Sequence, residues 1–149
     1  YSTPSMLHVQ RGRVRYEHML HTKIVSELLD YHSALLVQTG WTPIDMKYRQ
    51  IRQWSNDTNI PEVELTELLA LDVAARYARN EIEYGPADWI MNNLFLAMAE
   101  DPLSEWSDLF LDVFNAFDSG EYKRDEDGDV EPSEKYTRPE IARILSMKR

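Results

Sequence analysis

Residues 85–117 read GPADWIMNNLFLAMAEDPLSEWSDLFLDVFNAF. This stretch holds the densest apolar material in the chain, in two helical patterns that meet at Asp101-Pro102. Because proline is tolerated in the first turn of a helix, Gly85-Pro86 and Asp101-Pro102 predict two helix starts. We expect the rest of the chain to cover this stretch. Its predicted core residues are Trp89, Ile90, Leu94, Phe95, Met98, Leu103, Trp106, Leu109, Phe110, Val113, Phe114 and Phe117.

Helical spacing of apolar residues continues on the N-terminal side of this stretch. A long helix is predicted from Arg13 to Thr39, with an apolar stripe broad enough to face more than one neighbour. A shorter helix is predicted to begin at Trp41-Thr42-Pro43, with Thr42 as its N-cap, and to give way to a loop over residues 55–59. A third is predicted to begin at Pro61 and to end at Gly85-Pro86.

The composition of the chain changes on the C-terminal side of residues 85–117. Residues 118–136 carry eight acidic and three basic side chains, which is typical of a solvated linker. Thr137 and Glu140 form a capping-box pattern that predicts a terminal helix. The predicted division is an extended N-terminal arm (1–12), a helical domain (13–117), an acidic linker (118–136) and a C-terminal helix (137–149).

Patterns typical of strands are nearly absent, because no stretch alternates cleanly between apolar and polar residues. The predicted fold class is therefore all-α. We expect an irregular bundle or stacked helical hairpins of about five helices, together with the acidic linker and a C-terminal docking helix.

The net charge of −10 argues against a nucleic-acid partner, which would need clustered bases. Both ends of the chain are nevertheless basic, and the C-terminal helix has a narrow apolar stripe of the kind that lies in a partner's groove. The alternatives are that this helix folds back onto the acidic fifth helix, or that the charges are merely solvated. The predicted partner-binding residues are Arg11, Arg13, Arg15, Arg138, Ile141, Arg143, Ile144, Leu145 and Lys148.

The chain contains no cysteine, which excludes disulfides, thiolate metal sites and cysteine nucleophiles. No apolar run approaches the ~18 residues that a membrane-spanning helix needs. The first residues, Tyr1 to Ser5, read either as a cloning remnant or as the end left by removal of a mitochondrial presequence. The expected location is accordingly mitochondrial, or otherwise cytoplasmic.

Weak candidates for metal ligation are His18 with His21, and Glu105 with Asp108, because each pair is spaced three apart on a predicted helix. The acidic residues around Asp125 do not fit a calcium loop, since the positions that need glycine and glutamate hold Val130 and Tyr136. No catalytic residues and no cofactor are predicted.

The segment Gly85 to Gly120, with Glu105-Trp-Ser-Asp108, resembles the MazG-type all-α nucleotide pyrophosphohydrolases over about a quarter of the chain. The resemblance implies Mg²⁺-dependent hydrolysis of nucleotides, with these two carboxylates as part of the metal site. The family carries Glu-x-x-Glu on the preceding helix, where this chain has asparagines at 92 and 93. Its own such pair, Glu64 and Glu67, lies one helix earlier.

These features favour a non-catalytic helical accessory subunit of a large protein assembly, with a mitochondrial respiratory-chain or ATP synthase complex as the expected setting. The expected partners are other protein subunits, without nucleic acid; the chain is expected not to span a membrane, although it could sit beside a membrane complex. The first alternative is a MazG-like pyrophosphohydrolase, with or without activity. The second is a free acidic inhibitor or immunity-type protein that masks a basic partner.

Overall fold

The computed structural model describes the backbone of residues 6–147 and the side chains of residues 20–147. This part of the chain forms six α-helices and no strand, and the helices pack as an irregular bundle, so the predicted all-α class is confirmed. None of these helices combines the length and the apolar character needed to cross a bilayer. The helices are α1 (Met6–Thr39), α2 (Tyr48–Thr58), α3 (Glu62–Ala78), α4 (Tyr84–Ala99), α5 (Asp108–Asp118) and α6 (Arg138–Met147).

Helix α3 lies at the centre of the bundle, because it contacts all five other helices. Its buried side chains point in several directions around the axis and include two alanines, Ala70 and Ala74, that let neighbouring helices approach. Helices α4 and α5 supply most of the remaining core, as the sequence predicts. One predicted core residue is wrong: Leu103 is 85% exposed.

The first helix begins earlier than predicted. Its backbone is helical from Met6, so residues 6–12 belong to α1 and are not an extended arm, while residues 1–5 lie outside the described part. The predicted end at Thr39 is confirmed, and Gly40 follows it with a φ of +69°, a conformation that glycine adopts without strain.

The second helix begins later than predicted, at Tyr48, because residues 41–47 are held in a non-helical path against α4. The predicted loop over residues 55–59 is also wrong for most of its length. Helix α2 continues to Thr58 and ends at Asn59, which takes the left-handed conformation that asparagine tolerates.

Two boundaries around the central stretch also differ from the prediction. Helix α3 ends at Ala78, well before Gly85, and Gly85 and Pro86 lie in the first turn of α4. The fifth helix begins at Asp108, where Ser107 accepts a hydrogen bond from the Phe110 N–H at 3.0 Å. The Trp106 ring, which precedes this cap, packs on Phe95 at 4.9 Å between centroids.

The acidic segment over residues 118–136 is not a solvated linker. It contains a 3₁₀ turn, Asp125–Asp127, and a π-helical turn, Ser133–Thr137, that runs directly into α6. Thr137 is buried and donates a hydrogen bond to the Ala116 carbonyl at 2.7 Å, so it is not the predicted N-cap. The segment is therefore part of the folded body.

The C-terminal helix packs on the chain's own core. Helix α6 contacts α3 and α5, and Ile141 and Ile144 are almost completely buried there. The prediction that this helix docks on a partner through these two side chains is wrong, and the alternative, in which it folds back onto the fifth helix, holds.

Candidate interaction surface

The predicted charged docking residues that the structure describes are engaged within the chain. Arg138 pairs with Glu134 at 2.9 Å and lies over the Tyr77 ring at 4.4 Å, and Arg143 pairs with Glu140. Leu145 is half-buried against the core. The side chains of Arg11, Arg13, Arg15 and Lys148 lie outside the described part.

The structure describes the side chains of three of the four predicted metal candidates. Glu105 lies in the connection before α5, Asp108 is the first residue of that helix, and both are exposed. His21 is buried on α1, and the side chain of His18 lies outside the described part. Among side chains 20–147, no group of three or more histidines and carboxylates is placed to hold a metal ion.

Glu105 instead borders a crevice that it shares with Glu62 and the Tyr48 hydroxyl. Tyr48 donates a hydrogen bond to Glu62, and this bond raises the pKa of Tyr48 to about 12. The crevice measures about 10 Å³, roughly the space that one water molecule occupies. It cannot admit a nucleotide, so the resemblance to the pyrophosphohydrolases gains no support from it.

A larger cavity opens between α1, the start of α2 and α4, and we call it the α1–α2 cleft. Its volume is about 420 Å³, near the lower end of the roughly 300–1,000 Å³ typical of ligand sites. Its lining combines apolar and aromatic side chains with four charged side chains that are exposed. The lining residues are Glu27, Leu28, Tyr31, Asp45, Met46, Lys47, Arg49, Gln50, Trp54, Trp89 and Asn93.

Trp89 forms part of the wall of this cleft and is fixed on several sides. Its indole N–H donates to the Pro43 carbonyl at 2.9 Å, and its ring lies against His32 at 5.0 Å and Tyr31 at 6.3 Å between centroids. Burial lowers the pKa of His32, which favours the neutral imidazole at this contact. These contacts hold the Trp89 ring in place.

Asn93 holds the segment that closes one side of the cleft. Its Oδ1 accepts hydrogen bonds from the backbone N–H groups of Asp45 and Met46, at 3.1 and 3.0 Å, and its Nδ2 donates to the Trp89 carbonyl at 2.9 Å. Since the side chain is only 1% exposed, these bonds are well protected from water. They explain why residues 43–46 stay non-helical and why α2 starts late.

An exposed apolar surface adjoins the cleft. The structure describes ten exposed large apolar side chains, and half of them fall between residues 31 and 44. Val37 is 88% exposed and Trp41 is 68% exposed. We call these five exposed residues the α1 tail patch; they are Tyr31, Leu36, Val37, Trp41 and Ile44.

The α1 tail patch and the cleft share one residue. Tyr31 belongs to both, and Ile44 directly precedes Asp45, which lines the cleft. Sequence reasoning missed this surface because it assigned Trp41 to the start of a helix. The usable signal was the broad apolar stripe of α1, which is wider than one packed neighbour can cover.

A second cavity, of about 480 Å³, lies between α1 and α3. Arg76 lines this cavity and donates hydrogen bonds to three groups. They are the Asp72 carboxylate at 3.0 Å, the Thr22 carbonyl at 2.8 Å and the Ser26 hydroxyl at 3.1 Å. Because this arginine joins the two helices, we interpret the cavity as a structural junction.

Comparison of the chain with family models, with curated proteins and with solved structures gives no match. Its function must therefore be inferred from the geometry of the chain alone.

Proposed function

We propose that this protein is a non-catalytic helical subunit that binds another protein through the α1 tail patch. The observation that carries the proposal is the concentration of exposed large apolar side chains at the end of α1, next to an open cleft with aromatic walls. Trp and Tyr are typical anchors of interfaces, and Trp41 and Tyr31 are among these exposed side chains.

The charge of the chain narrows the class of partner. A net charge of −10 opposes binding to nucleic acid and to anionic membrane surfaces, whereas an apolar patch on an acidic body is compatible with a protein partner. This interpretation keeps the accessory-subunit hypothesis but moves its docking surface from the C-terminal helix to the end of α1. A mitochondrial assembly stays a prediction.

The test is affinity purification of the tagged full-length chain from its source cells, followed by native mass measurement. The wild type should co-purify with a defined partner at a fixed stoichiometry. The double variant Val37→Ser and Trp41→Ser should lose that partner and keep its melting temperature, because both side chains are exposed. Leu103→Ser is the matched control, since Leu103 is equally exposed but lies outside the patch. Equal retention of the partner by all three proteins would contradict the proposal.

A further inference from the structure

The small crevice beside Tyr48 lies where several elements of the bundle meet. Side chains of α2, of α3, of α4 and of the connection between α4 and α5 border it. Its volume of about 10 Å³ corresponds to a single water-sized sphere, so a larger ligand does not fit. The lining residues are Tyr48, Ile51, Glu62, Thr66, Met98, Ser104 and Glu105.

Ser104 lines this crevice and carries a buried hydroxyl. Its Oγ is shielded from solvent, and within residues 20–147 no group forms a hydrogen bond with it. The backbone of this residue is fixed by a turn, because the Ser104 N–H donates to the Asp101 carbonyl at 3.0 Å. Buried hydroxyls in folded proteins nearly always have a partner, since burial without a hydrogen bond is unfavourable. The hydroxyl of Ser104 therefore calls for a partner in the crevice.

The two other hydroxyls that border the crevice already donate their protons. The Tyr48 hydroxyl donates to a carboxylate oxygen of Glu62. The Thr66 hydroxyl donates to the Glu62 carbonyl at 3.0 Å, with the Val63 carbonyl as a second acceptor at 3.2 Å. Both hydroxyl oxygens and the remaining lone pairs of the Glu62 carboxylate can still accept hydrogen bonds. The crevice thus combines one available donor, Ser104, with several acceptors.

A water molecule matches this arrangement, because it accepts and donates hydrogen bonds at the same time. A buried water needs a space of about 10–15 Å³ and about two to four polar partners. The volume of the crevice and its lining by the hydroxyls of Tyr48, Thr66 and Ser104 and the carboxylate of Glu62 meet both conditions. An apolar group in the same space would leave the Ser104 hydroxyl without a partner.

We propose that the crevice binds one ordered water molecule, which accepts a hydrogen bond from Ser104 Oγ and donates one to the Glu62 carboxylate. This water joins the α4–α5 connection to the first turn of α3. A direct bond supports the same junction, because the Tyr48 N–H donates to a Glu100 carboxylate oxygen at 3.0 Å. A direct and a water-mediated contact together hold the end of α4 and the segment after it against α2 and α3.

The first test is nuclear magnetic resonance of the full-length wild type. Ile51 lines the crevice and is 0% exposed, so its methyl groups are shielded from bulk solvent. A water held in the crevice should give nuclear Overhauser effects to these methyl groups. Ile90 is the matched control, because it is also 0% exposed and does not line the crevice. No effect at Ile51, or an equal effect at both residues, would overturn the proposal.

The second test is the variant Ser104→Ala, whose stability depends on whether the hydroxyl has a partner. If the water satisfies the hydroxyl, its removal should lower the midpoint of urea unfolding and weaken the effect at Ile51. If the crevice is dry, removal of an unpaired buried group should raise the midpoint. An unchanged or raised midpoint would therefore contradict the proposal. Leu103→Ala is the control, because this neighbouring side chain is 85% exposed, and it should keep the wild-type midpoint and the Ile51 effect.

A monovalent cation is the other occupant of similar size, and oxygen ligands would also suit it. Urea unfolding in lithium, sodium and potassium chloride at equal ionic strength distinguishes the two occupants. With water in the crevice, changing the cation should shift the midpoints of the wild type and Ser104→Ala by the same amount. A dependence on the cation that is present in the wild type and absent in Ser104→Ala would assign the crevice to an ion and overturn the proposal.

Discussion

At the scale of single residues, Asp127 is a buried carboxylate that accepts hydrogen bonds from three donors. Burial alone would raise its pKa, but hydrogen bonds from Lys135, from the Tyr136 hydroxyl and from the Arg124 backbone N–H outweigh burial and lower the pKa below its usual range. The carboxylate is 3% exposed and joins the 3₁₀ turn to the π-helical turn. One ionised side chain thus organises a segment whose composition is typical of disorder.

The first prediction is that Asp127→Asn destabilises the fold, because the amide cannot accept these charge-assisted bonds as a carboxylate does. The folded pKa is depressed, so the stabilisation is present above the unfolded pKa of about 3.8 and is lost as pH falls through the lower folded value. Urea unfolding at neutral pH should show a lower midpoint for the variant. Asp129→Asn, at an exposed position, is the control, and equal midpoints for the two variants would refute the prediction.

The pKa of Asp88 is shifted in the opposite direction from that of Asp127. Burial, a hydrogen bond with Glu121 and the charges of Glu121 and Asp118 together raise its pKa to about 8. The Asn92 amide donates to both Asp88 and Glu121, at 3.3 and 2.7 Å, and so bridges α4 to the segment that follows α5. The folded protein therefore favours the protonated form of Asp88 at neutral pH.

The second prediction concerns the pH dependence that follows. Because the folded pKa of Asp88 is raised, the folded state holds a proton that the unfolded state releases, and stability falls as pH rises from about 3.8 to about 8. Asp88→Asn should remove this fall and raise the melting temperature above neutral pH. Thermal melting of the wild type and of Asp88→Asn across that pH range measures this dependence, and Asp30→Asn, at an exposed position, is the reference variant. If the melting temperatures of the wild type and Asp88→Asn change with pH in parallel, the prediction is contradicted.

At the scale of elements, the junction between α5 and the π-helical turn depends on one glycine. A Cβ at Gly120 would collide with Thr137 Oγ1 and would lie 3.0 Å from the Ser133 Cα. This close approach lets Thr137 reach the Ala116 carbonyl, so the end of α5 and the start of α6 are locked together.

The third prediction compares two glycine substitutions. Gly120→Ala should destabilise the protein by about 1–3 kcal/mol, the usual cost of overpacking. Gly85→Ala should be neutral or slightly stabilising, since a Cβ there meets no atom within 4 Å and the residue lies in the first turn of α4. Chemical denaturation of both variants gives the two free energies of unfolding, and a loss of equal size in both would contradict the steric argument.

The positions of the helices could be predicted from the sequence more fully than the residues at which they begin. Apolar spacing predicts the helices well, because the side chains that recur every three or four residues are those that α1, α4 and α5 bury. Helix starts are less predictable, since Asp101 and Ser107 are both residue types that cap helices and the fifth helix uses Ser107. The folded structure of residues 118–136 depends on the hydrogen bonds that Asp127 accepts from Lys135 and Tyr136, eight and nine positions away. Composition alone does not reveal these contacts.

The α1 tail patch also could be predicted only in part from the sequence. A broad apolar stripe on α1 could be read from the sequence, but the exposure of Val37 and Trp41 depends on how residues 41–47 turn away after Gly40. That path is set by Asn93 and Trp89, more than forty positions away. The C-terminal stripe of Ile141 and Ile144 was visible in the sequence, yet its burial partner was not.

At the scale of the whole molecule, the bundle has one core around α3, and its C-terminal part helps to close it. Ile141 and Ile144 belong to the same buried cluster as Tyr77 and Phe117, and the Arg138 guanidinium covers the Tyr77 ring. Removing this part would expose apolar surface of α3 and α5 to water, at about 25 cal/mol for each Å².

The fourth prediction is that deletion of residues 131–149 lowers the melting temperature of the isolated protein and increases its binding of a hydrophobic dye. Ile144→Ala should act in the same direction and cost about 2–5 kcal/mol, as large-to-small changes in cores do. Met147→Ala is its control on the same helix, because Met147 is 71% exposed. An unchanged melting temperature after the deletion would show that α6 is an appendage.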